Sequence, residues 1–173
     1  MFKLLIRNTL LLGALTGLSA AVMAHGPGSG GHAHDFPPEQ TDWGINAGEE
    51  DVDREVVIRM DDDMRFYPDH LTVSEGETLR LVIHNDGQLL HELVLGNQAE
   101  LDEHAELMEQ FPDMEHDAPY MAHVDPGESA SIIWTFNRGG RVDFACLLPG
   151  HYQAGMVGYI DVEPTTADHH KHH

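Results

Sequence analysis

Positive charge is scarce in this sequence: nine Lys and Arg stand against 30 Asp and Glu, a formal charge of −21 with the histidines neutral. Binding to a nucleic-acid backbone depends on clustered Lys and Arg, so DNA and RNA are not expected partners. There is one cysteine, which excludes an internal disulfide framework and a structural zinc site built from several thiolates. Beyond residue 24 no apolar run is long enough to cross a bilayer as a helix. What is abundant is histidine, 14 in 173 residues, and an excess of imidazole points to metal binding.

The first 24 residues read as a cleavable export signal. Lys3 and Arg7 precede the apolar run 10–18, and small residues lead to Ala24. Cleavage leaves 149 residues, about one domain, with seven basic against 30 acidic side chains and a charge of −23. No membrane insertion is expected after cleavage. An odd cysteine in an exported chain implies intermolecular pairing or a thiol held by something else, and a bound metal would serve.

Residues 25–50 are rich in Gly, Pro and His and lack an apolar period, so they are expected to form a flexible leader. The packed domain is expected over 51–163, followed by a mobile His-rich tail over 164–173. Short strands are predicted at 52–60, 64–67, 71–73, 78–84, 92–95, 131–136, 141–146 and 156–162. Turn residues such as Pro68-Asp69, Asn85-Asp86-Gly87 and Pro126-Gly127 separate them. Leu79, Leu81 and Ile83 alternate along one strand and Ile132, Trp134 and Phe136 along another, each set marking a buried face. Eight short strands in about 110 residues predict an all-β fold, a Greek-key β-sandwich. The stretch 97–123 interrupts this rhythm. Asn97 and Glu100 form a capping-box pair, and Leu101, Ala105 and Met108 are spaced for a short helix that stops before Pro112.

The chemistry is concentrated in Cys146, His151 and Met156, a C-x4-H-x4-M spacing on the loop joining the last two predicted strands. Singly, each of these residues is ordinary core or surface material; it is the joint spacing that carries the signal. A thiolate, an imidazole and a thioether from one loop can converge on one ion if a second imidazole arrives from elsewhere. Two His and one Cys with a weak axial Met is the electron-transfer copper arrangement, whereas zinc is normally offered four strong ligands. For the second imidazole the preferred residue is His91, which follows the Asn85-Asp86-Gly87 turn and opens a strand. His84 is the rival, and His70 is a third alternative.

Further ligands lie outside this set. His25 would become the new amino terminus, its free amine beside its imidazole, with His32 and His34 close behind. His104, Met108, Met114 and Met121, together with His116 and His123, make a nitrogen and sulfur cluster suited to copper(I), although Met108 also completes the apolar stripe of the predicted helix. The run of acids at 61–63 reads as an exposed turn.

The pattern Phe66-x-Pro68-x-x-Leu71-x-Val73-x-x-Gly76-x-x-Leu79, followed by Asn85, His91, Pro126-Gly127-Glu128 and the C-x4-H-x4-M loop, resembles the cupredoxin family over residues 52–162. The resemblance implies an eight-stranded cupredoxin-like sandwich with one type 1 copper near one end, held by His91, Cys146, His151 and Met156. The His-rich leader, the His91-Glu92 pair, the insertion and the segment from Cys146 to His151 look most like the copper-resistance members of the family. That implies a periplasmic protein that binds copper ions in copper tolerance and is not an enzyme. A binuclear centre needs a second loop cysteine, and a catalytic relay needs a histidine where residue 145 is alanine. The alternative is a soluble electron shuttle, whose redox protein partner docks transiently at an apolar rim of Leu147, Leu148 and Pro149 around His151.

One residue departs from the family pattern. Many cupredoxins place Asn or Ser after the first ligand histidine, and here it is Glu92. Pro149 has no N–H and cannot donate to the Cys146 sulfur, whereas Leu148 can. A carboxylate beside the metal favours Cu(II) and tunes the site, so the reduction potential is expected to be low and the site greener than a typical blue one. Glu92→Asn is therefore expected to raise the potential in a redox titration, and an unchanged potential would remove the charge argument.

Overall fold

The computed structural model describes residues 36–112 and 116–165. The predicted signal, His25, His32, His34, Met114 and the tail from residue 166 lie outside the described residues. In chain order the elements are β1 (Gln40–Thr41), β2 (Gly44–Asn46), a 3-10 turn (Glu49–Asp51), β3 (Arg54–Asp61), β4 (Arg65–Tyr67), β5 (His70–Ser74), β6 (Thr78–Asn85), β7 (His91–Gly96), α1 (Gln98–Gln110), β8 (Met121–Val124), β9 (Ser129–Thr135), β10 (Gly140–Ala145) and β11 (Val157–Glu163). They form two sheets, ordered β1-β2-β9-β6-β3-β4 and β5-β11-β10-β7-β8. Within them β3 runs parallel to β6 and β5 parallel to β11, and the other pairings are antiparallel.

Period-two alternation builds the core between the sheets. Leu79, Leu81 and Ile83 of β6, with Ile132 and Trp134 of β9 and Phe136 just beyond it, bury on one side, as the sequence pattern predicts. Leu93 and Leu95 of β7, Val142 and Phe144 of β10, and Ile160 and Val162 of β11 meet them from the other. Phe66 stands edge-on to Phe144 with ring centres 5.1 Å apart. Gly158 is required where β11 crosses that ring, because a Cβ there would lie 2.3 Å from Phe144.

Strand β7 is buried along its whole length because both of its faces are covered. Its outward residues lie beneath α1, whose Leu101, Ala105 and Met108 form a second apolar cluster with Val94, Met121, Ala145 and Leu147. The predicted capping box starts this helix: Asn97 accepts the Glu100 N–H at 3.0 Å, and Glu100 accepts the Asn97 N–H at 3.0 Å. The same Glu100 carboxylate takes the indole N–H of Trp43 at 2.8 Å.

Three short strands differ from the sequence reading. β1 and β2 lie inside the stretch expected to be a flexible leader, yet β2 pairs with β9 and Trp43 stacks on Trp134 with centres 4.6 Å apart. The ordered domain therefore begins before residue 51. β8 lies within the expected 97–123 insertion, and it adds a strand to the edge of β7.

Asn85 fixes the path from β6 into β7. Its buried amide donates to the Leu89 carbonyl at 2.7 Å and the Val124 carbonyl at 2.8 Å, and its carbonyl oxygen accepts the Gly87 N–H at 2.9 Å. Asn85→Ala is expected to lower stability by about 1–3 kcal/mol, the cost of leaving buried polar groups unpaired. Urea denaturation should show a lower midpoint with an unchanged slope.

Candidate metal centre

Three potential ligands converge at one end of the sandwich. His91 opens β7, Cys146 follows the last residue of β10, and His151 stands on the loop between β10 and β11. One ligand atom from each lies within 4.8 Å of the others. The Cys146 sulfur is 3.3 Å from His151 Nδ1, and the two imidazole centres are 4.9 Å apart at a tilt of 51°. His91 and Cys146 are fully buried, and His151 is part-exposed.

The loop is held in shape by its own backbone. His151 donates to the Leu148 carbonyl at 3.0 Å, and Gly155 donates to the Tyr152 carbonyl at 2.9 Å. Met156 closes it from the far side: its carbonyl accepts the Cys146 N–H at 3.1 Å and its N–H donates to the His151 carbonyl at 3.2 Å. The Met156 side chain is fully buried in the main core. Arg65 clamps the loop from outside, reaching the carbonyls of Ala154 at 3.1 Å and Gly155 at 3.2 Å. Helix α1 holds it from above through the Tyr152 hydroxyl, which donates to Asp102 at 2.6 Å and accepts from Gln98 at 2.7 Å.

Glu92 ties the two ligand segments together. Its N–H faces the Cys146 sulfur at 3.5 Å, and its Oε1 accepts the Leu147 N–H at 2.8 Å. Its Oε2 lies 2.8 Å from His123 Nε2, an ion-pair distance without an aligned hydrogen bond. This contact first of all raises the His123 pKa above its ordinary value. The carboxylate that the sequence puts beside the centre thus has an imidazole against it.

Asp62 orients His91. Its carboxylate accepts the N–H groups of Gln88 and Leu89 and lies 3.2 Å from His91 Nε2. The Gln88 N–H is the main reason its pKa is lowered. With Nε2 so engaged, His91 presents Nδ1 to the interior, and that buried nitrogen has no hydrogen-bond partner. A buried, orphaned nitrogen on an imidazole that gathers with a thiol and a second imidazole fits a metal ion, with the carboxylate at the other nitrogen fixing ring and tautomer.

Without a metal the thiol keeps its proton. Burial pushes its pKa up to about 12, opposed by the N–H groups of Glu92 and Leu148. The N–H that faces the sulfur in hydrogen-bond geometry is that of Glu92. Burial, then the neighbouring His91, lowers the pKa of His151 and so favours its neutral form.

Other predicted residues fall elsewhere. His84 is bonded to Ser129 at 2.5 Å on the other sheet, and His70 stacks on Tyr159 and contacts Asp161 at 3.2 Å; neither joins the group. Met108 and Met121 are packed in the second apolar cluster. Leu147 is buried there too, so it is not part of the rim around His151. Exposed apolar surface comes instead from Leu89 and Leu90 on the loop entering His91, and on the His151 loop Pro149 is exposed and Leu148 part-buried. Asp62 was not singled out by sequence, where it stands in an acidic turn, and its only signal is its position between two flanking methionines.

Comparison with known proteins agrees with this geometry. A family model described as copper binding proteins, plastocyanin/azurin family, matches residues 52–163. The copper-resistant cuproprotein CopI of Rubrivivax gelatinosus is 44% identical over 134 residues, covering 78% of this chain and 79% of the relative. CopI of Pseudomonas aeruginosa is 36% identical over 192 aligned positions, covering 94% and 98%. Among solved structures, auracyanin B superposes with a TM-score of 0.59 at 25% identity, covering 72% of this chain and all of that one.

The raised thiol pKa has a consequence for the metal-free protein. An unfolded chain releases the Cys146 proton near the ordinary value of 9.0, whereas the folded chain keeps it to about 12. The folded state then binds more protons, and stability falls as pH rises through that window. Denaturation of the metal-free protein is expected to show this decline from about pH 9 upward. Cys146→Ser should flatten its first part, before Tyr120 and Tyr152, whose pKa values are also raised, begin to contribute.

Proposed function

This chain belongs to the plastocyanin/azurin family of copper-binding proteins, and from that membership we propose that it is a periplasmic, non-catalytic copper-tolerance protein with one type 1 centre. The ligands assigned are His91, Cys146, His151 and Met156. The observation that carries the reading is the convergence of His91, Cys146 and His151 within 4.8 Å, with the His91 Nδ1 orphaned and facing inward. A copper ion held by such a set would supply one-electron chemistry between Cu(II) and Cu(I), the soft sulfur donors suiting the reduced ion. The chain's own contribution is to hold the donors still. Asp62 fixes His91, Glu92 bridges to the Cys146 loop, and Met156 would supply a thioether from the loop's far end. Burial keeps water away from the thiolate.

Tolerance is favoured over other roles because the relatives at 44% and 36% identity carry the name copper-resistant cuproprotein. The export signal read in residues 1–24 supports the periplasm. A second reading, a soluble electron shuttle, rests on the exposed Leu89 and Leu90 at the His91 loop, an apolar patch on which a redox partner could dock transiently.

Titration of the mature chain with Cu(II) is expected to give an intense thiolate-to-copper absorption in wild type and none in Cys146→Ser. A colourless wild-type complex would overturn the centre. A deletion strain separates the two roles: failure only on added copper supports tolerance, and failure of respiration in ordinary medium supports the shuttle.

A further inference from the structure

Beside the first centre, on the far side of Glu92, three further imidazoles come together from three different elements. His104 projects from α1, His116 stands on the segment between α1 and β8, and His123 lies on β8 directly opposite Glu92 of β7 in the strand register. The Nε2 atoms of His104 and His116 are 2.7 Å apart. Their ring centres are separated by 4.7 Å at a tilt of 51°. That arrangement nearly repeats the His91–His151 pair, whose centres are 4.9 Å apart at the same tilt. Two nitrogens that share one ion at bond lengths of about 2.0–2.1 Å sit about 3 Å from each other, so the spacing suits a common ligand. The His123 ring centre is 6.4 Å from that of His116, and its Nε2 reaches the buried Glu92 carboxylate at 2.8 Å.

No three of these donors lie within 4.8 Å of one another as those of the first centre do, and we propose that His104 and His116 form the core of a second metal site that takes Cu(II), with His123 and the Glu92 carboxylate, a neighbouring pair, closing in to complete it. Nitrogen and oxygen donors without sulfur suit the oxidised ion, and among divalent first-row metals such donors bind copper most strongly. The three rings are part-exposed rather than sealed in the core, so this position loads from solvent, unlike the buried thiol. The site is coupled to the first by one residue. Glu92 touches His123 with one carboxylate oxygen, the Leu147 N–H with the other, and the Cys146 sulfur with its backbone N–H. A cation on the imidazoles therefore draws on the same carboxylate that braces the cysteine loop. Of the sulfur expected of this region, Met108 and Met121 are committed to the apolar cluster, and Met114 lies outside the described residues.

The test compares the full mature chain with His104→Gln/His116→Gln in the same background, so that histidines of the leader and tail contribute equally to both. Each is titrated with Cu(II), and retained equivalents are counted after gel filtration. The double variant is expected to keep the thiolate-to-copper band, which reports both folding and the first centre. It should lose one equivalent and the matching nitrogen-ligated signal in electron paramagnetic resonance. Equal stoichiometry and identical resonance spectra would overturn the second site. If the band were missing from both proteins, the first centre would fail while the count of equivalents still decided the second. Should the double variant not fold, Zn(II) added to wild type loaded with Cu(I) decides the matter by nuclear magnetic resonance. The ring signals of His104, His116 and His123 are expected to shift, and shifts confined to other histidines would overturn the proposal.

Discussion

A buried carboxylate is an expensive thing to place in a β-sandwich, since removing it from water costs several kcal/mol, on the order of what a small domain can spare. Glu92 is nonetheless fully buried, and its bonds explain why the arrangement holds. One oxygen takes the Leu147 N–H, the other faces His123, and the residue's own N–H faces the Cys146 sulfur. The first ligand strand and the cysteine loop are thereby joined across a sheet by one side chain. The ladder between β7 and β10 ends with Ala145 opposite Val94, and Glu92 carries the connection on from there towards the ligand residues.

The helix makes the joint possible. Glu92 and Val94 point to the outer face of the second sheet, which solvent would otherwise cover. Helix α1 roofs that face with Leu101, Ala105 and Met108, and Leu147 is buried beneath it. The roof lowers the local dielectric, so each hydrogen bond at Glu92 is stronger than it would be in water. The same roof carries His104, and through Tyr152 it is bonded to the loop that carries His151. An element that breaks the strand rhythm of the sequence thus shields the centre, braces it and adds donors of its own.

Much of this was legible in the sequence because it is written in local spacing. The C-x4-H-x4-M loop places its residues between two strands whatever the rest of the chain does, and the alternation of Leu79, Leu81 and Ile83 states which face is buried. The capping box at Asn97 gives the helix start to within a residue. What escaped were features defined by long-range contact. β1 and β2 are two and three residues long, too short for any period to register, and their order comes from Trp43 finding Trp134. Asp62 looks like part of a solvated acidic turn until the fold brings Gln88, Leu89 and His91 against it. Leu147 looks like rim because it sits beside Leu148 and Pro149, but neighbouring residues at a strand end face opposite sides, and only the helix shows which side is covered.

The small hairpin of β1 and β2 also changes what the molecule shows to its neighbours. Without it, β9 would be the margin of its sheet, seven residues carrying Ile132, Ile133 and Trp134 with unpaired backbone groups. Such a margin invites a strand from another copy, and proteins commonly blunt it with a short or irregular cover. Here the cover is β2, which pairs through Ile45 and Asn46 and is then followed by Ala47, whose N–H reaches the Ile133 carbonyl at 3.2 Å. The segment that leads into the domain therefore occupies the β9 edge on which a foreign strand would otherwise dock, an obstacle that salt, unlike charge repulsion, does not weaken.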